Sequence, residues 1–358
     1  MRIADTNFDG TIHTPDKIKG ILGTYALLGQ LSSINGVNIS RRLLDRVMYG
    51  VETLPPLGKE YWWFLFFGND GRQMMVLVYR KFGSGMVFNR EEVVFRRTGP
   101  GAFQAVTTGW IYDGKGIYDL GVSNPIIAIS PGEKTLVSKI SDRTMTFDGG
   151  FPEYELKIDG LVHLKMTEGY FLENRCAYGV YLPPFGAGWI DIFTNAEGNV
   201  LGKKFVGTAH LQKVVGIMPY GSFHWARVVF QNGSVFSFFC LKPGEKSNKY
   251  FHRSMNFYDH QLRRYIRFSD PRLIISEETG EKITWTIEGW DEEHELIITL
   301  ETYAEKRFTM NGGGSQTYIE YAVMPSRFRF TTNDQTVTLK DLGDGVGTFE
   351  DAYGLPGF

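Results

Sequence analysis

Few groupings in this sequence set a titratable side chain among aromatic or apolar ones. His224 stands beside Trp225 in GSFHWARVVF, Asp259 lies between Tyr258 and His260 in NFYDHQL, and Glu320 sits between apolar neighbours in TYIEYAV. A carboxyl group desolvated in an apolar pocket keeps its proton near pH 7 and can deliver it to an unactivated alkene. The resulting cation is stabilised by aromatic faces, Trp best of all. Each residue also has a plainer reading. Asp259 reads as a loop acid bonding nearby backbone groups, and His224 as a strand residue with a satisfied hydrogen bond. Alternation puts Glu320 on one face with Tyr318 and Ala322, either inward or toward water. Arg227 shares a face with Trp225 and could line a polar-tinged cavity or meet solvent. Asp191, after Trp189, is a further acid, and Glu288 in ITWTIEGW reads as exposed.

Other chemistries lack their signatures. His210, His224, His252 and His260 form no HxH or HExxH pattern, and the two cysteines, Cys176 and Cys240, lack the spacing of a structural zinc site, so no metal is expected. There is no GxSxG elbow and no Walker loop. Gly312-Gly313-Gly314 precedes a strand pattern, whereas dinucleotide loops precede a helix, so no cofactor is implied.

The elements that must position these residues are strands. GSFHWARVVFQNGSVFSFFCLK (221–242) matches EYWWFLFFGNDGRQMMVLVYRK (60–81) at an offset of 162, with Trp63 on Trp225, Asp70-Gly71 on Asn232-Gly233 and Arg80 on Lys242. Both copies predict a β-hairpin with a two-residue type I′ turn. Further Asp-Gly and Asn-Gly pairs separate short strand patterns along the chain, which favours antiparallel barrels or sandwiches over a βαβ sheet. Two helix patterns precede them, one opening at Thr14-Pro15-Asp16 and one over 40–49, where Leu43, Leu44 and Val47 share a face. With 358 residues two domains are expected. The organisation read here is a partly helical N-terminal segment (1–58) packing on the barrels, a first β-domain (59–170) and a second (171–358).

Composition narrows the partners. A net charge of -2 argues against a nucleic-acid footprint, and 15% aromatic residues favour large apolar interiors. No window of about 18 apolar residues predicts a stable membrane insertion, and no signal-peptide pattern opens the chain. A cytoplasmic protein meeting a small hydrophobic molecule is the default, with oligomeric state left open.

The stretch 207–242, the earlier hairpin around Trp63 and the closing strand YIEYAV together resemble the carotenoid 1,2-hydratase (hydroxyneurosporene synthase) superfamily. That group is similar to tocopherol cyclases and fungal Diels-Alderases in having two lipocalin-like β-barrel domains. The resemblance implies an all-β fold of two antiparallel barrels and water addition to, or cyclisation of, an isoprenoid-like alkene in a pocket at or near the domain junction. It implies a carboxylic acid near a His/Trp pair and a Tyr/Asp pair, matched here by His224 with Trp225 and Tyr258 with Asp259. Each pair is adjacent here, rather than separated by one residue as the family pattern would have it. The candidate catalytic residues are therefore His224, Asp259 and Tyr258, and the candidate substrate-lining residues are Trp63, Trp225, Arg227 and Glu320. A non-catalytic carrier of a hydrophobic ligand is the alternative. A carbohydrate-binding protein using Trp189 or Trp290 is the second alternative.

Overall fold

A computed structural model of the chain describes residues 15–99, 101–169, 174–244 and 249–356. Apart from three helices, the described residues are all-β, with strands assembled into two large antiparallel sheets. Two compact units result. The first takes the described residues up to Gly68 with Gln73–Asp113 and Tyr118–Pro219, and the second takes Asn69–Arg72, Gly114–Ile117 and Tyr220 onward.

The division therefore falls at Pro219/Tyr220 and not at residue 170, for a reason visible in the pairing. The long strand Phe185–Val200 pairs with Val162–Glu168 on one side and Lys203–Ile217 on the other, and Lys203–Ile217 pairs with Gly58–Gly68. These late strands close the gap between the two ends of the first sheet's sequence.

The described part of the N-terminal segment belongs to the same unit. Ser40 caps the helix Arg41–Met48, its side chain accepting from Leu43 N, and Leu44, Val47 and Met48 are buried. The expected Thr14 cap lies outside the described residues, and the helix after it is long, Pro15–Ile34. Of its glycines Gly20 makes a close approach: a Cβ there would stand 2.4 Å from Thr53 Oγ1. Leu27, Leu28 and Leu31 enter one core with Trp62, Phe64, Phe66, Phe103, Phe147 and Ile192, so the sheet curls until strands far apart in its order share an interior. Truncating a fully buried leucine such as Leu28 to alanine costs about 2–5 kcal/mol.

In the second unit the core gathers Ala226, Val228, Phe230, Phe238, Cys240, Trp285 and Phe349, with Trp285 stacked on Phe349 at 4.1 Å. The duplicated hairpins are present, Gly58–Gly68 with Gln73–Lys81 and Ser222–Phe230 with Val235–Lys242. Their turns differ from the expected type I′, which needs positive φ at both central residues. Only Gly71 and Gly233 have it; Asp70 and Asn232 instead accept from Arg72 N and Ser234 N through their side chains, and four residues connect the strands.

Candidate active site

Side chains alternate across a strand, so each copy of the hairpin presents two sets of residues. Trp62, Phe64 and Phe66 face the first core and Ala226, Val228 and Phe230 the second, which turns Trp63 and Trp225 the other way.

His224 points inward with Ala226. Its ring lies 5.7 Å from Trp285 and 5.3 Å from Phe349, and Lys242 Nζ donates to Nε2 at 3.2 Å. Lys242 also donates to Asp351 Oδ1 at 2.7 Å. Burial, then the Lys242 charge, pushes the imidazole down to about 3, which keeps it neutral and an acceptor. The first core carries the counterpart cluster, with Trp62 in the place of His224 and Arg80 in that of Lys242. There Glu60 accepts from Arg80 Nε at 2.7 Å and pairs with Lys213 Nζ at 2.7 Å, while Lys213 stands 3.6 Å over the Trp62 ring. Burial pushes Glu60 up, but the two cations outweigh it and hold its carboxyl below the usual range.

The expected catalytic set is not assembled. Tyr258 is level with Val235 and Val229, five residues along the strand from His224, roughly 17 Å, and on the opposite face. Asp259 Oδ1 accepts from the backbone N–H groups of Gln261 and Leu262 at 3.0 and 3.2 Å, the turn-forming role of an Asp. Tyr258 packs edge-on to His260 at 6.0 Å, and burial raises its phenol.

The four substrate-lining candidates fall on the outward face instead. Trp225 is register partner of Glu350, and Glu350 of Glu320, so the three side chains form one row across three strands. Arg227, buried, leads the next row with Thr348 and Ala322. Both glutamates are buried, Glu320 at 0% exposure and Glu350 at 7%. Burial first, then the neighbouring Glu320 charge, raises the Glu350 carboxyl well above the carboxylate range, against a hydrogen bond from Tyr318 that lowers it. Aromatic rings occupy the next row on this face, where Phe223 and Tyr318 are level with Ala352: Tyr318 lies 6.4 Å from Phe223 and 5.9 Å from Phe308, and Phe223 5.8 Å from Phe239. A carboxyl that keeps its proton among aromatic faces is the equipment that alkene protonation requires.

The first unit has the same row with different chemistry. Trp63 is register partner of Gln212, and Gln212 of Asp191. Asp191 Oδ1 accepts from Gln212 Nε2 and engages His210 Nε2, each at 2.7 Å, and His210 meets the Trp63 ring edge-on at 5.3 Å. Acid, amide and Trp here stand where acid, acid and Trp stand in the second unit.

Glu350, Gln212 and Tyr318 were missed as site residues, and Asp191 and His210 were noticed without a role. Glu350 lies in the Gly-rich tail, and only the pairing of that tail between the Ser222–Phe230 and Gly314–Thr331 strands brings it to Glu320. The one available signal was the alternation of Thr348, Glu350 and Ala352, which puts a lone acid on a small-residue face. Among the described residues no group of three or more His, Cys, Asp or Glu side chains is arranged to hold a metal ion.

No protein-family model matches the chain, and a search of curated proteins finds no match. Solved structures with similarity include an AttH candidate from Nitrosomonas europaea, at 10% identity over 83% of this chain and 92% of that one, with a TM-score of 0.42. CghA with Sch210972 aligns at 10% identity over 84% and 89%, with a TM-score of 0.46. Kievitone hydratase from Nectria haematococca aligns at 10% identity over 89% and 94%, with a TM-score of 0.41. These likenesses run along most of the chain at low identity; the reading of the site rests on the geometry above.

Proposed function

We propose that the protein is an enzyme that protonates an alkene of an apolar, isoprenoid-like substrate, leading to hydration or cyclisation. The observation that carries this reading is the buried Glu320–Glu350 pair, whose mutual repulsion and desolvation favour retention of one proton. In the reaction the Glu350 O–H bond breaks and a C–H bond forms at the less substituted alkene carbon. Trp225, Tyr318 and Phe223 offer aromatic faces to the cation left on the other carbon. Water then adds, or a second alkene of the same substrate attacks, and the surplus proton returns to the carboxylate pair. General acid catalysis of this kind contributes about 10²–10⁴ in rate.

The test is incubation with a panel of linear isoprenoids in deuterated water, comparing wild type with Glu350→Gln and Glu320→Gln. Deuterium appearing on carbon with wild type and falling by about 10²–10⁴ in both variants supports the reading. Incorporation unchanged in both variants removes the pair from the mechanism. None with any protein across the panel returns the chain to the carrier alternative.

A further inference from the structure

The outward face of the first sheet carries a second feature, in which like charges are set against each other beside an exposed apolar strip. Lys59 and Lys81 are direct register partners on adjacent antiparallel strands, so their side chains rise from the same face a few ångströms apart. Two ammonium groups so placed destabilise a sheet. Neither is fully solvated: both are half-buried, and burial with the Lys81 charge holds Lys59 down to about 7, burial alone lowering Lys81. The Lys81 ammonium donates to the Phe82 carbonyl at 3.2 Å.

Continuing the row away from Lys59, the partners are Gly216, Ala187 and Val180. Gly216 is the floor of a trough: a Cβ there would meet only Ala187 Cβ and Met218 Cγ, both at 4.0 Å. The trough is rimmed by apolar side chains left open to solvent, with Val180 49% exposed, Met218 36%, and the next pair along, Leu182 and Phe185, 73% and 49%. From the Lys59 strand to the Val180 strand is three strand spacings, about 14 Å.

We propose that this face binds an amphipathic oxyanion, a carboxylate or phosphate monoester on an extended apolar chain, with the head group between Lys59 and Lys81 and the chain along Gly216, Ala187 and Val180 toward Leu182 and Phe185. An anion between the two ammoniums converts the repulsion of the pair into attraction for both, and the chain covers the exposed apolar residues. Charge and apolar surface thus select the same kind of molecule from opposite ends of one row. The proposal does not depend on the glutamate chemistry of the second unit.

Titration calorimetry on the full chain with dodecanoate, dodecyl phosphate and dodecanol tests it, with cosedimentation on phosphatidylglycerol and phosphatidylcholine vesicles as a second arm. Dodecanoate and dodecyl phosphate are expected to bind at least tenfold more tightly than dodecanol. The Lys59→Gln/Lys81→Gln double variant removes that preference while a thermal melt shows it folded, and Gly216→Val weakens all three ligands. Glu350→Gln retains binding, which separates this result from the fate of the proposed reaction. Binding of the free amphiphiles identifies a soluble ligand as the source of the head group. Binding only to phosphatidylglycerol vesicles, with none of the free amphiphiles, assigns the lysine pair to a membrane surface and overturns the proposal. Equal affinity for dodecanol and dodecanoate, or a preference that survives in the double variant, also overturns it.

Discussion

Trp63 and Trp225 occupy equivalent places in their sheets, yet the residues beside them put the acid in each row to opposite uses. In the first unit Gln212 and His210 surround Asp191, and the amide N–H gives its oxygen a donor. In the second, a glutamate replaces the amide, and Glu320 has a second acid as register partner on one side and Lys306 on the other. At the middle position the two rows differ by one atom type, amide nitrogen against carboxyl oxygen. That change removes a donor to the acid and sets a second carboxyl in its place, and burial with the Glu320 charge raises the Glu350 carboxyl. The inward faces show a third arrangement: Glu60 is buried like Glu350, but Arg80 and Lys213 flank it, and its carboxyl moves down where that of Glu350 moves up. Burial pushes both carboxyls up, and the charges beside them decide whether that rise stands.

The comparison can be broken by rewriting one row as the other. Glu350→Gln gives the second unit the acid–amide–Trp row of the first, and turnover is expected to fall by about 10²–10⁴ in steady-state assays on a responsive substrate. Glu60→Gln leaves Arg80 and Lys213 buried without their carboxylate and is expected to cost about 3–5 kcal/mol in urea unfolding. Asp191→Ala strands the donors of Gln212 and His210; a loss of about 1–3 kcal/mol in stability is expected, with turnover within a few-fold of wild type. A collapse of turnover in that variant would mean that both rows do chemistry.

The smallest effect, and the one that sharpens the comparison most, is on pH dependence. A carboxyl raised in the folded state, as Glu350 is, favours folding fully at pH below the unfolded carboxyl value, and that contribution is lost as pH rises through the raised folded value. Wild type should therefore lose stability relative to Glu350→Gln as pH climbs out of the carboxylate range, by about 1.4 kcal/mol for each unit of the shift. Glu60 runs the other way, its contribution present above the unfolded value and lost as pH falls. Denaturant midpoints across pH for the two variants should thus diverge from wild type in opposite directions.

Much of the architecture was legible in the sequence. The offset of 162 located both hairpins, and Ser40 with Leu44 and Val47 located a helix and its cap. What alternation could not supply was which face of each hairpin would matter, because both faces are buried: Trp62 through Phe67 are all covered. His224 attracted notice as an imidazole beside a Trp, but adjacency in a strand puts the two on opposite sides, and His224 went to the core with Lys242. Glu320 was visible as an acid among apolar residues. Its partner was not, because the pairing of Gly345–Pro356 between two strands distant in sequence is a non-local event that no local pattern encodes. The unit boundary moved for the same reason, through the pairing of Lys203–Ile217 with Gly58–Gly68.

The central claim is that the Glu320–Glu350 pair holds a proton at neutral pH while Glu60 does not. Carboxyl-¹³C-labelled glutamate, followed by NMR through a pH titration and assigned with Glu350→Gln, Glu320→Gln and Glu60→Gln, reads this directly. The account predicts at pH 7 a protonated carboxyl signal that disappears in both Glu350→Gln and Glu320→Gln and persists in Glu60→Gln. Two fully ionised carboxylates at positions 320 and 350 at pH 7 would contradict it.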